Sequence, residues 1–217
     1  MVTPDGRELV LSRRGDAFQI DIDRYQLMLS RGHGSEEDLA RLAVDALGPR
    51  PAPRVLIGGL GMGFTLRAAL DALRNRPGAV VEVAEVFPVV VTWNREHLGA
   101  LAGHPLDDPR THVIEGDVAD VIAASPSPYD AMMLDVDNGP EALTLESNRR
   151  LYTPRGLHRL RDALTPGGVL AVWSCDEDPR FEYRLGEVGF ETITHRVRAR
   201  AGRGARHVVF VGKMPGG

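Results

Sequence analysis

The chain has 217 residues, of which 43% are hydrophobic and 26% charged, and its formal net charge is −4. This balance is typical of a globular domain and argues against disorder and against capture of nucleic acid by bulk charge. The single cysteine, Cys175, excludes an internal disulfide, and the histidines show no metal-ligand spacing, so we expect no metal. No apolar run approaches the ~20 residues of a membrane-spanning helix. The first residues also lack the blocks of a signal peptide, so we expect a cytoplasmic protein without a membrane partner.

The first fifty residues predict a small unit of their own. Polar and apolar residues alternate over 8–11, 18–22 and 25–29, with turn sequences between them, which predicts an antiparallel β-hairpin unit. Ser35 is the predicted N-cap of a following helix, whose apolar stripe is Leu39, Leu42, Ala43 and Leu47. We place a domain boundary near residue 50, which divides the chain into an N-terminal unit, 1–50, and a larger domain, 51–217.

Beyond residue 50 the pattern changes to alternating strands and helices. Predicted strands are 55–57, 79–85, 111–115, 131–135 and 169–173, with helices at 65–73, 87–98, 154–164 and 179–185, and a closing hairpin at 191–197 and 207–211. Repeated strand–helix units predict an α/β fold of the Rossmann-like type. We expect a mostly parallel, doubly wound sheet with a C-terminal antiparallel hairpin.

A glycine-rich turn, Gly58-Gly59-Leu60-Gly61-Met62-Gly63, follows the first strand of this domain. Glycines let a ligand approach the backbone, and the next helix offers free N–H groups. The spacing of Gly59, Gly61 and Gly63 is not the G-x-G-x-x-G of a dinucleotide site, and no Walker lysine follows. We therefore expect an adenosine-containing cofactor; the alternative is a tight strand-to-helix connection without a ligand.

Three further strand ends carry acids, and ligands bind beyond the carboxyl ends of the strands in open α/β sheets. Glu85 is placed to accept ribose hydroxyls, or it is a solvated strand-end acid. Asp117 is placed to accept the exocyclic amine of adenine, to cap the next helix, or both. Asp135 and Asp137 are candidates to orient and deprotonate an amine nucleophile, or they form an Asx-turn that ends the strand.

These motifs resemble the spermidine synthase family, within the S-adenosylmethionine-dependent methyltransferase-like fold. The resemblance covers most of the chain and implies the turn as the cofactor loop, Glu85 at the ribose, Asp117 at the adenine and Asp135 at the head of a gate loop that includes Gly139-Pro140. The implied cofactor-binding set is Gln19, Gly58, Gly59, Gly61, Gly63, Glu85, Val86, Gly116, Asp117, Val118 and Asp135. The expected acceptor-binding residues are Glu37, Asp137 and Asn138, and the catalytic ones are Asp135 and Asp137.

The chain departs from the family pattern at two places. The family turn reads Gly-Gly-Gly-Asp-Gly-Gly, and its aspartate pairs with the free amine of decarboxylated S-adenosylmethionine; this chain has Gly61 there. The family's Tyr-His-Glu aligns with Ser35-Glu36-Glu37. An aspartate at position 61 would repel the carboxylate of intact S-adenosylmethionine, so its loss favours the intact cofactor.

Four hypotheses follow from these features. The leading one is transfer of a methyl (or 3-amino-3-carboxypropyl) group from intact S-adenosylmethionine to a small nucleophile, an amine. The second is an aminopropyltransferase that uses decarboxylated S-adenosylmethionine and a polyamine. The third is a non-catalytic nucleoside-binding protein. A nucleic-acid modifier is least favoured, since the basic stretch 196–206 has no interleaved aromatic residues. The N-terminal hairpin unit is also a candidate homodimer contact.

Overall fold

The computed structural model describes residues 6–23, 25–136, 140, 146–200 and 203–216. Its first element is a three-stranded antiparallel sheet of β1 (Leu9–Arg14), β2 (Ala17–Ile22) and β3 (Tyr25–Leu29). Gly15, with φ of 64°, forms the turn between β1 and β2. The alternating pattern of the N-terminal residues therefore predicts this small sheet correctly.

Helix α1 (Gly34–Leu47) begins earlier than the sequence predicts. His33 is the N-cap residue, and Ser35 lies inside the first turn with no exposed surface, so the prediction of Ser35 as the cap is wrong. The physical reason is that the Ser35 hydroxyl hydrogen-bonds Glu36 and His207 instead of a backbone amide of its own helix. The apolar stripe of the helix packs against the central sheet and against α2 (Phe64–Ala72).

A seven-stranded sheet forms the centre of the larger domain, in the order β6-β5-β4-β7-β8-β10-β9. The first five strands in this order are parallel, whereas β10 runs antiparallel to both of its neighbours. This confirms the mostly parallel Rossmann-like sheet with a C-terminal antiparallel hairpin. The strands are β4 (Arg54–Gly58), β5 (Val80–Glu85), β6 (Thr111–Glu115), β7 (Tyr129–Leu134), β8 (Leu164–Ser174), β9 (Glu191–Arg200) and β10 (Arg203–Lys213).

Helices cover both faces of the sheet, and alternate side chains of a strand belong to different apolar clusters. Val55 and Ile57 on β4 pack in one cluster, whereas Leu56 between them packs in the other. Such two-sided burial explains why the strands are nearly continuous apolar runs. The remaining helices are α3 (Pro88–Trp93), which continues into a single π-helical stretch (Asn94–Leu98), α4 (Val118–Ala124), α5 (Glu146–Arg149), α6 (Pro154–Asp162) and α7 (Pro179–Glu187).

The strand order reverses between β4 and β7, because the chain first adds β5 and β6 on one side and then returns to the other. This reversal opens a crevice at the carboxyl ends of the strands, where ligands bind in doubly wound sheets. The small N-terminal sheet and the β9–β10 hairpin lie beside this crevice and contribute to its walls. Within the described residues, no helix is long and apolar enough to cross a membrane.

Candidate functional site

A cavity of about 690 Å³ lies at the carboxyl ends of β4, β5, β6 and β7. Its size is within the range of small-molecule sites in proteins. The small N-terminal sheet, α1 and the β9–β10 hairpin complete its walls. Eight of the residues predicted to form the site line this cavity: Gly59, Gly61, Glu85, Val86, Gly116, Asp117, Val118 and Asp135.

The glycine turn has backbone geometry that only glycine accommodates without strain. Gly59 has φ of 91°, and a Cβ on it would lie 2.5 Å from the carbonyl oxygen of Asp135. Gly61 has φ of 51°, and a Cβ on it would lie 2.6 Å from Met28 Cε. Side chains are thus excluded from this turn by its own conformation and by its neighbours. The exclusion leaves the backbone bare at the cavity wall.

Met28, on β3, occupies the space beside Gly61. The backbone N–H of Met62 donates a hydrogen bond to Met28 Sδ at 3.2 Å, which fixes the thioether against the turn. In the resembled family an aspartate side chain stands at the position of Gly61. Here an uncharged, polarizable thioether from a different element fills that place.

Glu85 is buried at the end of β5 and links two loops of the cavity wall. One carboxylate oxygen accepts the N–H of Leu60 and the other accepts that of Phe87, each at 2.9 Å. Burial raises the pKa of Glu85, and the surrounding backbone amides act against that shift. Each oxygen retains a second lone pair, so these bonds are compatible with acceptance of ribose hydroxyls.

Asp117 has the helix-capping role that the sequence allows. Its Oδ1 accepts the N–H of Ala119 at 2.8 Å and lies 2.9 Å from a guanidinium nitrogen of Arg150. Because Asp117 also lines the cavity, its second oxygen remains available to a ligand donor. Capping and ligand binding are therefore compatible at this residue.

Asp135 follows β7 directly and accepts a hydrogen bond from the Thr65 hydroxyl at 2.8 Å. Its own N–H donates to the carbonyl of Gly58 at 2.9 Å, which ties it to the first residue of the glycine turn. Burial raises the pKa of Asp135 to about 6, although the Thr65 bond favours the charged form. Asp135 is thus an acid that holds or releases a proton close to neutral pH.

Glu36 is a second acid of the cavity. From the sequence it is a candidate partner of ammonium groups only in the aminopropyltransferase alternative, and it is not among the expected site residues. It is only 8% exposed and lies in the first turn of α1. Burial and the nearby charge of Asp135 raise the pKa of Glu36 to about 7, whereas a hydrogen bond from Ser35 favours ionisation. Repulsion between two carboxylates in one cavity favours the state in which one of the two carboxyl groups keeps its proton.

The hydrogen bonds of Glu36 continue away from Asp135. The Ser35 hydroxyl donates to Glu36 at 2.7 Å, and His207 Nδ1 lies 2.9 Å from the same hydroxyl. His207 lines the cavity beside Trp173, with ring centroids 4.7 Å apart. Burial lowers the pKa of His207, so its neutral form is favoured. The Trp173 indole nitrogen is buried without an acceptor among the described residues, so a donor is available at this wall.

Four of the predicted site residues lie elsewhere. Glu37 is half-exposed and hydrogen-bonds His33 at 2.8 Å, outside the cavity. Gln19 bonds Asp21 on its own strand; the glutamine that lines the cavity is Gln26. Gly58 is covered by the side chains of Val118 and Leu134, and Gly63 faces Pro105 and Asn94 as the N-cap residue of α2. Asp137, Asn138 and Gly139 lie outside the described residues.

The lining fits an adenosine. Gly59 and Gly61 leave the backbone open to close approach, and Glu85 and Asp117 place carboxylate oxygens at the ends of neighbouring strands. Acceptors of this kind match ribose hydroxyls and an exocyclic amine. In the described part of the chain, no group of three His, Cys, Asp or Glu side chains is arranged to hold a metal.

Comparisons with known proteins agree with this geometry. No family model matches the chain. It is 35% identical over 122 residues to polyamine aminopropyltransferase 2 of Pseudomonas aeruginosa, a match that covers 54% of this chain and 32% of that protein. It is 34% identical over 130 residues to putrescine N-methyltransferase 2 of Nicotiana tabacum, which covers 58% of this chain and 34% of that protein. The matches thus span about a third of these curated relatives.

A solved structure extends the likeness to nearly the whole chain. Spermidine synthase in complex with the transition-state analogue AdoDATO superposes with a TM-score of 0.73 and 20% identity, covering 98% of this chain and 70% of that one. At this identity the structural match shows the fold. By sequence the chain is similar to proteins named polyamine aminopropyltransferase and putrescine N-methyltransferase, and by fold it is similar to spermidine synthase.

Proposed function

We propose that this chain is a transferase that moves a methyl (or 3-amino-3-carboxypropyl) group from intact S-adenosylmethionine to a small amine. The observation that carries the proposal is the contact between Gly61 and Met28. Position 61 carries no carboxylate, and Met28 leaves no room for a side chain there. A carboxylate on the cofactor therefore meets a neutral thioether and bare backbone instead of a like charge.

The two cavity acids, Asp135 and Glu36, supply the proton chemistry that an amine acceptor needs. A bound sulfonium supplies an activated carbon and a thioether leaving group. An acceptor amine is protonated in water near pH 7 and has to lose that proton before its lone pair can attack. Asp135 and Glu36 have pKa values raised to about 6 and about 7, so the pair can bind the ammonium and take its proton.

Ser35 and His207 hold this acid pair in place. The Ser35 hydroxyl donates to Glu36, and His207 Nδ1 contacts the same hydroxyl. These contacts orient the Glu36 carboxyl in the cavity. Thr65 performs the corresponding orienting role for Asp135.

An aminopropyltransferase is the second candidate, supported by the names of the relatives. Several matched proteins are named polyamine aminopropyltransferases, whereas the tobacco relative is named a putrescine N-methyltransferase. The relatives that match this chain therefore include proteins named for aminopropyl transfer and proteins named for methyl transfer. The aspartate that decarboxylated S-adenosylmethionine requires in the resembled family is absent at Gly61, which favours the first candidate.

Mass spectrometry of the product distinguishes the candidates. The protein is incubated separately with intact and with decarboxylated S-adenosylmethionine, each with a panel of small amines. The mass added to the amine identifies the transferred group. We expect products only with the intact cofactor, and aminopropylated products from the decarboxylated form would contradict the proposal. Asp135→Asn serves as the inactive control.

A further inference from the structure

The β9–β10 hairpin forms one wall of the cavity and brings arginine to its rim. Ala199, Arg200, Gly204 and Ala205 line the cavity beside Gly32, from the segment that precedes α1. Arg200 Nε donates a hydrogen bond to the carbonyl of Arg31 at 2.7 Å. The Arg200 side chain is thereby held at the rim.

The backbone packing at this wall is also close. A Cβ on Gly34 would lie 3.0 Å from the carbonyl oxygen of Arg198 and 3.3 Å from that of Ala199. Because glycine allows this approach, the hairpin sits directly against the segment that leads into α1. The rim and the acid Glu36, two residues after Gly34, are therefore parts of one packed unit.

The hairpin carries positive charge that the described part of the chain does not compensate. In the antiparallel register Arg200 stands opposite Arg203, and Arg198 stands opposite Arg206. Like charges directly opposite each other destabilise a pair of strands. Among the described residues, no carboxylate lies within ion-pair distance of these four arginines. Glu177 pairs with Arg196, and Asp16 pairs with Arg31.

The cavity therefore differs in charge between its interior and its rim. Glu36 and Asp135 are acids of the interior, whereas Arg200 is a cation at the wall. A linear diamine is cationic at both ends and would place one ammonium against arginine. A molecule with an amine at one end and an anion at the other matches both regions.

We propose that the acceptor is an amine that also carries an anionic group, a carboxylate or a phosphate, and that Arg200 binds this group. Its Nε is engaged by Arg31, so the two terminal nitrogens remain as a fork for two oxygens. The proposal rests on the proposed function, because it names the acceptor class of that same cavity.

Calorimetry on the complex with S-adenosylhomocysteine tests the proposal without turnover. The probes are ω-amino acids of increasing length, aminoalkyl phosphates, and the diamines of the same lengths. We expect the best anionic probe to bind about tenfold or more tightly than the best diamine. Arg200→Gln should remove this preference, whereas Arg206→Gln, on the same hairpin but outside the cavity, should keep it.

Two results would overturn the proposal: diamines that bind as tightly as the anionic probes, or a preference that survives in Arg200→Gln. A second arm measures the affinity of Arg200→Gln for intact S-adenosylmethionine. We expect it to equal that of the unaltered protein; a clear loss would assign Arg200 to the cofactor carboxylate and contradict the acceptor role. Failure of the proposed function is distinct, because the unaltered protein would then not bind intact S-adenosylmethionine.

Discussion

The two ends of the cavity differ in how closely they follow the family pattern. At the cofactor end, Gly59, Glu85 and Asp117 have the residue types and positions that the resemblance implies. At the acceptor end, Glu36 stands at the histidine position of the family's Tyr-His-Glu, and Met28 fills the place of a carboxylate. We propose that the contacts to adenosine and the reaction chemistry are separable in this fold.

The largest effect is expected at Asp135. Replacing Asp135 with Asn removes the proton acceptor nearest the glycine turn, so kcat should fall about a thousandfold. The affinity for S-adenosylmethionine should fall much less than kcat, because Asp135 is only one of the expected cofactor contacts and Glu85 and Asp117 lie on other strands. Steady-state kinetics and calorimetry measure the two quantities, and Asp120→Asn, an exposed acid of α4, is the control. An equal loss of cofactor affinity and of kcat in Asp135→Asn would contradict the separation of cofactor binding from reaction chemistry.

The pH dependence of the free energy of unfolding should report the raised pKa of Glu36 independently of activity. Its pKa is about 7 in the folded chain against an ordinary 4.5, so the folded state binds more protons than the unfolded state between these values. The free energy of unfolding therefore falls as pH rises through this window. We expect Glu36→Gln to be more stable than the unaltered protein by up to about 3 kcal/mol near pH 8, and no more stable near pH 4.

Urea denaturation at both pH values measures this difference. Glu37→Gln is the matched control, since Glu37 is the half-exposed neighbour that faces His33 instead of the cavity. It should follow the unaltered protein at each pH. A Glu36→Gln variant without any gain near pH 8 would contradict the raised pKa of Glu36.

The pH profile of turnover should separate the two acids. In the unaltered protein the activity should rise with an apparent pKa near 7, the value of Glu36. In Glu36→Gln we expect kcat/KM to fall about thirtyfold, and the remaining acid limb to move toward the lower pKa of Asp135, about 6. Glu37→Gln should keep both the rate and the profile. If the acid limb of the pH profile did not move in Glu36→Gln, Glu36 would have no part in the proton transfer.

The smallest predicted effect is a change of cofactor preference. Gly61→Asp alone should bind either cofactor poorly, because Met28 occupies the space that its side chain needs. Combining it with Met28→Ala frees that space and places a carboxylate where the resembled family has one. We expect the double variant to shift its preference toward decarboxylated S-adenosylmethionine by about tenfold relative to the unaltered protein. Met28→Ala alone is the control and should keep the original preference.

Local patterns predicted the framework of the molecule well. Apolar runs bounded by turn residues placed the strands, and the glycine turn marked the carboxyl end of β4. These features depend on neighbours in sequence, so spacing alone reveals them. The division into two domains near residue 50 stays a prediction.

The acceptor end was harder to predict, because its contacts are distant in sequence. Met28 reaches Met62 across 34 positions, and His207 reaches Ser35 across 172. One missed residue did have a local signal. Glu36 precedes Leu39 and Ala43 by three and seven positions, the spacing of one helix face. Glu36, and not Glu37, therefore shares the buried face of α1.

We propose that the cavity accepts the intact cofactor because position 61 carries no carboxylate and Met28 fills the space beside it. Isothermal titration of the unaltered protein with each cofactor form is the direct test. We expect intact S-adenosylmethionine to bind at least as tightly as the decarboxylated form. Clearly tighter binding of decarboxylated S-adenosylmethionine would contradict the claim and return the chain to polyamine aminopropyl transfer.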